Sequence, residues 1–278
     1  MPNFFGLEEK DTIVLFDMDG TLTPARLPIQ QEMIDALKKL SKKAYIGIVS
    51  GSPWQYIEEQ MGETWLSPDG LDASRLIIMP CNGTQVYHSK DTSKEYQLSY
   101  GVSMRDHLET TRTTPDAYRE IATNILELQL YSIRKYDHPV TGNFLSYRGS
   151  MVNWCMIGRD ASHEERATFV KEERQRKIRE HLRECLRVRL DASGLHSIDL
   201  TLGGSTSIDI FPVGWDKTHA LNHTGNAQVW FVGDKCMPGG NDHALYSKLA
   251  PSGRAKQVDS PAETIDWIIS SVIPQVAK

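Results

Sequence analysis

The chain contains no run of about 18 apolar residues, and its opening, MPNFFGLEEKD, lacks the basic start and long apolar stretch of a signal peptide. Neither a membrane span nor a secretory leader is predicted, and the chain reads as soluble and cytoplasmic, with no membrane partner. Cysteine is scarce. Cys81, Cys155, Cys185 and Cys236 lie far apart with no C-x-x-C pair, which excludes a zinc ribbon and a disulfide framework and leaves reduced thiols. Positive charge is not in excess either. Lys and Arg number 31 against 36 Asp and Glu, a net charge of -5, so a nucleic-acid partner is not expected and any anionic substrate needs a local cluster. Asn82-Gly83-Thr84 and Asn222-His223-Thr224 match the glycosylation pattern, which has no consequence without secretion. What remains is ordinary globular material: 278 residues, 40% apolar and 24% charged, enough for two domains or one large one.

The first ninety residues alternate as βαβ units. An apolar run from Ile13 to Phe16 stops at Asp17, a helical pattern spans Ile29 to about Lys42, and a strand from Ala44 to Val49 ends at Ser50-Gly51-Ser52. A short helix from Pro53 and a strand from Arg75 to Met79 follow. Beyond Lys90 the texture becomes α+β, with helices near Pro115 to Tyr131 and from Ser162 to about Leu190, and with hairpins around Gly149-Ser150 and Gly203-Gly204. The βα alternation returns at Gly214, with a helix starting near Asp216, a strand from Val229 to Val232 and a helix from Pro261 to about Ser271. This order predicts an α/β fold: a Rossmann-like parallel-sheet core (residues 1–89 and 213–278) interrupted by an inserted α+β cap domain (residues 90–212).

Chemistry is signalled first by Asp17-Met18-Asp19-Gly20-Thr21, directly after the first buried strand. Ligands of open α/β sheets bind beyond the carboxyl ends of strands, and residues two apart on an extended backbone point the same way. Asp17 and Asp19 can therefore address one phosphoryl group, one attacking and the other moving the proton. A calcium loop would need Gly at its sixth position and Glu at its twelfth, where Leu22 and Pro28 stand. The Ser50 hydroxyl can donate to a phosphoryl oxygen, although Ser-Gly-Ser also suits a plain turn. Lys217 can neutralise an acyl phosphate. Asp234, after another apolar strand, adds a third acid at the same edge and suggests Mg2+ held by carboxylate oxygens. In the inserted region Arg148, Arg159 and Arg166 sit at element ends and can converge on a second phosphate. Ser207 and Asp209 alternate with Ile208 and Ile210 and so share a strand face suited to sugar hydroxyls.

In motif order and in the strand ends that bear the motifs, the chain resembles the haloacid dehalogenase superfamily. Within it the chain resembles the eukaryotic-type phosphomannomutases, in Thr23-Pro24-Ala25-Arg26, in Ile157-Gly158-Arg159 with Glu164-Glu165-Arg166, in Gly203-Gly204 ahead of Ser207-Ile208-Asp209, and in Gly233-Asp234-Lys235 with Met237-Pro238-Gly239-Gly240-Asn241-Asp242-His243. The resemblance implies interconversion of mannose 6-phosphate and mannose 1-phosphate, on the route to GDP-mannose, with a hexose 1,6-bisphosphate as activator. It implies Asp17 as nucleophile, Asp19 as general acid and base, and Ser50 and Lys217 steadying the phosphoryl group. Mg2+ would sit on Asp17, the Asp19 carbonyl and Asp234; Arg26, Arg148, Arg159, Arg166, Ser207 and Asp209 would contact a small-molecule hexose phosphate. A homodimer through the cap is also implied. Two readings compete: a Mg2+-dependent sugar-phosphate phosphatase, which differs only in whether water reaches the acyl phosphate, and a non-catalytic carbohydrate-phosphate binding module.

Overall fold

The structure is a computed structural model that describes residues 5–62, 71–89, 96–111 and 116–276. Chain contacts divide it into two units, Met1–Gly101 with Trp215–Lys278, and Val102–Gly214.

In the first unit the strands are β1 (Thr12–Phe16), β2 (Tyr45–Val49), β3 (Leu76–Met79), β4 (Gln85–His88) and β5 (Gln97–Gly101), joined after the insertion by β10 (Gln228–Gly233) and β11 (Ala255–Gln257). They form one seven-stranded sheet in the order β11-β10-β1-β2-β3-β4-β5, parallel from β11 to β3, with β4 and β5 antiparallel at one edge. The sequence explains why β1 is central. Its continuous apolar run supplies both faces: Val14 and Phe16 enter one cluster with Met33, Leu37 and Ile268, whereas Ile13 and Leu15 enter the other with Phe231 and Leu245. Helices Gln31–Ser41 and Pro261–Trp267 cover the first face and His243–Leu249 the second. Because β1, β2 and β10 run parallel, their carboxyl ends share one edge of the sheet. Asp17, Ser50 and Asp234 follow those ends directly.

The second unit carries a four-stranded antiparallel sheet in the order β6-β7-β9-β8, from β6 (Leu145–Tyr147), β7 (Val152–Cys155), β8 (Ile198–Gly203) and β9 (Ser207–Pro212). Helices Ala117–Lys135 and Ile178–Ala192 line it with buried Ile121, Ile125, Leu182 and Leu186 at helical spacing. Trp154, fully buried on β7, donates its indole N–H to Gln129 Oε1 at 2.7 Å, and Gln129 Nε2 donates to the Met156 carbonyl at 2.9 Å. These two bonds satisfy the buried indole N–H and both ends of the Gln129 amide.

Some elements depart from expectation. The single helix expected from Ser162 to Leu190 is two, His163–Arg176 and Ile178–Ala192, broken at Lys177, whose φ is 49°. Glu173 explains the break: its carboxylate accepts from the Arg179 backbone N–H at 3.0 Å and from Arg179 Nε at 2.9 Å, capping the second helix from within the first. The core sheet also takes in β5, so the first unit runs to Gly101 rather than to residue 89; residues 90–95 lie outside the described residues. The helix expected from Pro115 begins at Ala117 and runs on to Lys135, Pro115 itself lying outside the described residues.

Candidate active site

Asp17 is delivered to the sheet edge by β1 and is 4% exposed. Its Oδ1 accepts from Lys217 Nζ, and its Oδ2 accepts from the Thr21 hydroxyl at 3.2 Å. Lys217 has no exposed surface at all; it opens the 3-10 turn Lys217–His223, which the side chain of Asp216 caps by accepting from Thr218 N at 2.7 Å. The same ammonium donates to Asp242 Oδ1 at 2.6 Å, and Asp242 is likewise fully buried, its Oδ2 accepting from the Lys235 backbone N–H at 2.9 Å. One buried cation therefore faces two buried carboxylates. Burial, with Asp242 adding to it, pushes the Asp17 carboxyl up to about 8 against the pull of Lys217. For Lys217 burial works against the charge, yet Asp17 and Asp242 together raise its pKa and keep it ionised. Burial also raises Asp234, opposed by its ion pair with Lys235.

Carboxylate oxygens of Asp17, Asp234 and Asp242 all lie within 4.8 Å of one another. Three hard oxygen donors converging at a sheet edge, three acids against the two cations Lys217 and Lys235, fit Mg2+. Gly20 makes that convergence possible: its φ is 89°, and a Cβ there would stand 2.7 Å from Asp234 Oδ2. In sequence Asp242 is part of the motif that follows Asp234 but carries no assigned role, because an acid after Gly239-Gly240-Asn241 looks like any turn residue; the burial beside Lys217 distinguishes it. The Asp19 carboxylate is not among the three. Its Oδ1 accepts from the Arg26 backbone N–H at 2.7 Å, Arg26 being left-handed with φ 61°. Ser50 is 4% exposed at the end of β2, with its Oγ accepting from Ser52 N at 3.1 Å.

In the second unit four of the expected substrate residues join one network. Asp209 Oδ1 accepts from Asn153 Nδ2 at 2.7 Å and lies 4.0 Å from Arg148 NH1, while Asn153 Oδ1 accepts from Arg159 NH1 at 2.6 Å. Arg166, 8% exposed, donates from Nε to the Ala161 carbonyl at 3.0 Å, from NH1 to Thr206 Oγ1 at 3.0 Å and from NH2 to the Arg159 carbonyl at 2.6 Å. Its guanidinium braces the chain around Arg159. Ser207 is buried at the start of β9, its carbonyl accepting from Arg179 NH1 at 3.3 Å. Asn153 was not singled out in the sequence, since a lone Asn on a strand carries no signal without its partners.

Comparison with known proteins gives consistent results. The sequence model of the family described as eukaryotic phosphomannomutase matches residues 33–273. The phosphomannomutase of Saccharomyces cerevisiae is 34% identical over 262 residues, covering 93% of each chain, and phosphomannomutase 1 of Mus musculus is 32% identical over 278 residues, covering 98% of this chain and 97% of that one. Among solved structures, the N-terminally truncated IMP-nucleotidase of Plasmodium falciparum aligns with a TM-score of 0.61 at 14% identity, over 94% of this chain and 70% of that one. A trehalose-6-phosphate phosphatase related protein aligns with a TM-score of 0.51 at 14% identity, over 95% of this chain and 99% of that one. These structures share the fold.

Proposed function

The chain belongs to the eukaryotic phosphomannomutase family, and from that premise we propose that it interconverts mannose 6-phosphate and mannose 1-phosphate through an aspartyl-phosphate enzyme and a hexose 1,6-bisphosphate. It is an enzyme, a phosphohexomutase. The observation that carries the mechanism is the Asp17–Lys217–Asp242 triad. Burying three ionisable groups at a sheet's carboxyl edge gives a packed core nothing that apolar residues would not give better, so it is accounted for by chemistry.

In this reading a carboxylate oxygen of Asp17 attacks a phosphorus of the bisphosphate and the bond from that phosphorus to the sugar oxygen breaks. Asp19 gives the departing sugar oxygen its proton and in the reverse half-reaction takes it from the attacking hydroxyl. Lys217, held ionised, offsets charge on the transferring group, and the Ser50 hydroxyl donates to one of its oxygens. Asp17, Asp234 and Asp242, with the Asp19 carbonyl, would hold Mg2+, which when bound shields phosphoryl charge. The core comprises the sheet unit, and the inserted unit acts as a cap whose Arg148 and Arg159, braced by Arg166, grip the phosphate that is not reacting, while Ser207, Asp209 and Arg26 complete the sugar-phosphate site. Homodimerisation through the cap is part of the same proposal; Leu126, Leu130 and Val188 are exposed apolar side chains on its helices that such a contact would cover. So is cytoplasmic residence, where thiols stay reduced.

The test is incubation with mannose 6-phosphate and Mg2+, with and without a hexose 1,6-bisphosphate, following isomer and free phosphate together. Activator-dependent isomerisation without phosphate release is expected. Phosphate release alone would replace the mutase by a phosphatase. Asp17→Asn is expected to abolish turnover with an unchanged circular dichroism spectrum, and retained turnover would reject Asp17 as nucleophile.

A further inference from the structure

Ser50 and Lys217 must face the same phosphoryl group, yet they sit on different elements, one after β2 and the other on the 3-10 turn before β10. The turn Pro80–Gly83 after β3 lies between them. Cys81, Asn82 and Gly83 in this turn have φ of 50°, 66° and 84°, three consecutive positive values that suit Gly83, that Asn82 tolerates and that local preference opposes at Cys81. Contacts on both sides hold them there. On the Ser50 side, Asn82 N donates to the Ser50 carbonyl at 2.8 Å and Cys81 N to the Ser52 carbonyl at 3.1 Å. On the Lys217 side, Asn82 Nδ2 donates to the Trp215 carbonyl at 3.3 Å, and a Cβ on Gly83 would lie 2.8 Å from the backbone N and Cα of Ala220, so the two backbones touch.

The remaining tie is His223, at the far end of the 3-10 turn that Lys217 opens. It is 2% exposed, packed 4.7 Å from the ring of Tyr100 and 5.8 Å from that of His219, and its Nε2 lies 2.8 Å from the Gly83 carbonyl. A carbonyl only accepts, so Nε2 carries the proton. Its Nδ1 is buried with no hydrogen-bond partner among the described residues. The ring thus buries one nitrogen unsatisfied while the other holds the Gly83 carbonyl.

We infer that His223 is a positioning residue for phosphoryl transfer, its Nε2–H pinning the Gly83 carbonyl so that the Asn82 turn fixes the spacing between Ser50 and Lys217. This rests on the phosphohexomutase reading. Burial pulls the His223 pKa down to about 4, in keeping with a ring that stays a single-donor neutral imidazole at physiological pH.

The test compares His223→Gln, whose amide N–H reaches about where Nε2 stands, with His223→Leu, which fills the volume without a donor, and with His223→Asn, whose amide stops near Nδ1. All are assayed on the full chain with mannose 6-phosphate, Mg2+ and a hexose 1,6-bisphosphate. His223→Leu and His223→Asn should lose kcat at least tenfold with KM changed less than twofold, and His223→Gln should stay within about threefold of the parent. Equal kcat in all three variants, or loss in His223→Gln as deep as in His223→Leu, would overturn the inference. So would a loss in His223→Leu carried by KM. A parent protein that fails to isomerise mannose 6-phosphate would instead sink the functional reading, whatever the variants do.

Discussion

Replacing Lys217 by methionine separates what this side chain does for the fold from what it does for the reaction. Methionine approximates the length of the lysine stem and removes the charge. The ammonium is wholly buried and shared by Asp17 and Asp242, each nearly or fully buried in turn. Removing one partner from a buried ion pair costs about 3–5 kcal/mol, because the other charge is left uncompensated. The expected loss is therefore about 3–5 kcal/mol in urea unfolding at pH 8 in EDTA, and less at pH 6, where a stranded carboxyl takes up a proton instead of standing charged. Adding Asp242→Asn to Lys217→Met removes one of the stranded charges and should recover at least about 2 kcal/mol, since residues in direct contact couple by roughly 0.5–3 kcal/mol. Neither protein should isomerise mannose 6-phosphate. A loss below about 1 kcal/mol for Lys217→Met, or a double variant no more stable than the single one, would refute the account of a cation that balances two buried acids.

Without metal, the raised Asp17 carboxyl makes the native state the better proton binder between its ordinary value near 4 and about 8, so its contribution to stability falls as pH rises through that window. His223, pulled down to about 4, works in the opposite direction only up to about 6.5, so the clean interval is pH 6.5 to 8. There a decline of up to about 2 kcal/mol is expected in EDTA, and Asp17→Asn should flatten it; an equal slope in that variant would be the contrary result. Gly20→Ala forces a Cβ against the Asp234 carboxylate at a φ of 89°, so Mg2+ affinity measured by calorimetry should drop about tenfold or more, and unchanged affinity would argue against the Asp17, Asp234 and Asp242 trio as the ligand set. Ser162 accepts from Glu165 N at 3.2 Å while Glu165 returns the bond to Ser162 N at 2.7 Å, so Ser162→Ala should cost about 1 kcal/mol in urea unfolding; a neutral result would show that the box adds nothing to the helix bearing Arg166.

The parallel core was legible because β1 announces itself twice, by an apolar run that serves both sheet faces and by the acid that ends it. Asp17, Ser50, Lys217 and Asp234 were legible as residue types at element boundaries. Their energetic relations were not. Lys217 and Asp17 stand 200 residues apart, and nothing near Lys217 in sequence distinguishes a wholly buried ammonium from a solvated one. Asp242 was hidden for the same reason. The break at Lys177 has no glycine or proline to mark it; it depends on Glu173 reaching forward to Arg179, a tertiary choice that helix periodicity does not encode. β4 and β5 escaped notice because short half-exposed strands carry a weak pattern, and a partner's edge rather than their own composition makes them strands. Arg166 reads in sequence like any other arginine at a helix start, and only its bonds to Ala161, Thr206 and Arg159 reveal a brace.

The placement of β1 between β2 and β10 means that the middle of the sheet is assembled from segments on either side of the Val102–Gly214 unit. A nascent chain on the ribosome makes the Asp17 strand well before β10 and must wait for the whole Val102–Gly214 unit before β10 emerges to pair with its open side. Throughout that interval the strand's unpaired backbone and apolar neighbours stand available to any other chain, so synthesis passes through a period of exposure to wrong pairing. The same delay leaves Asp17 without its buried counter-ion until Lys217 has been translated.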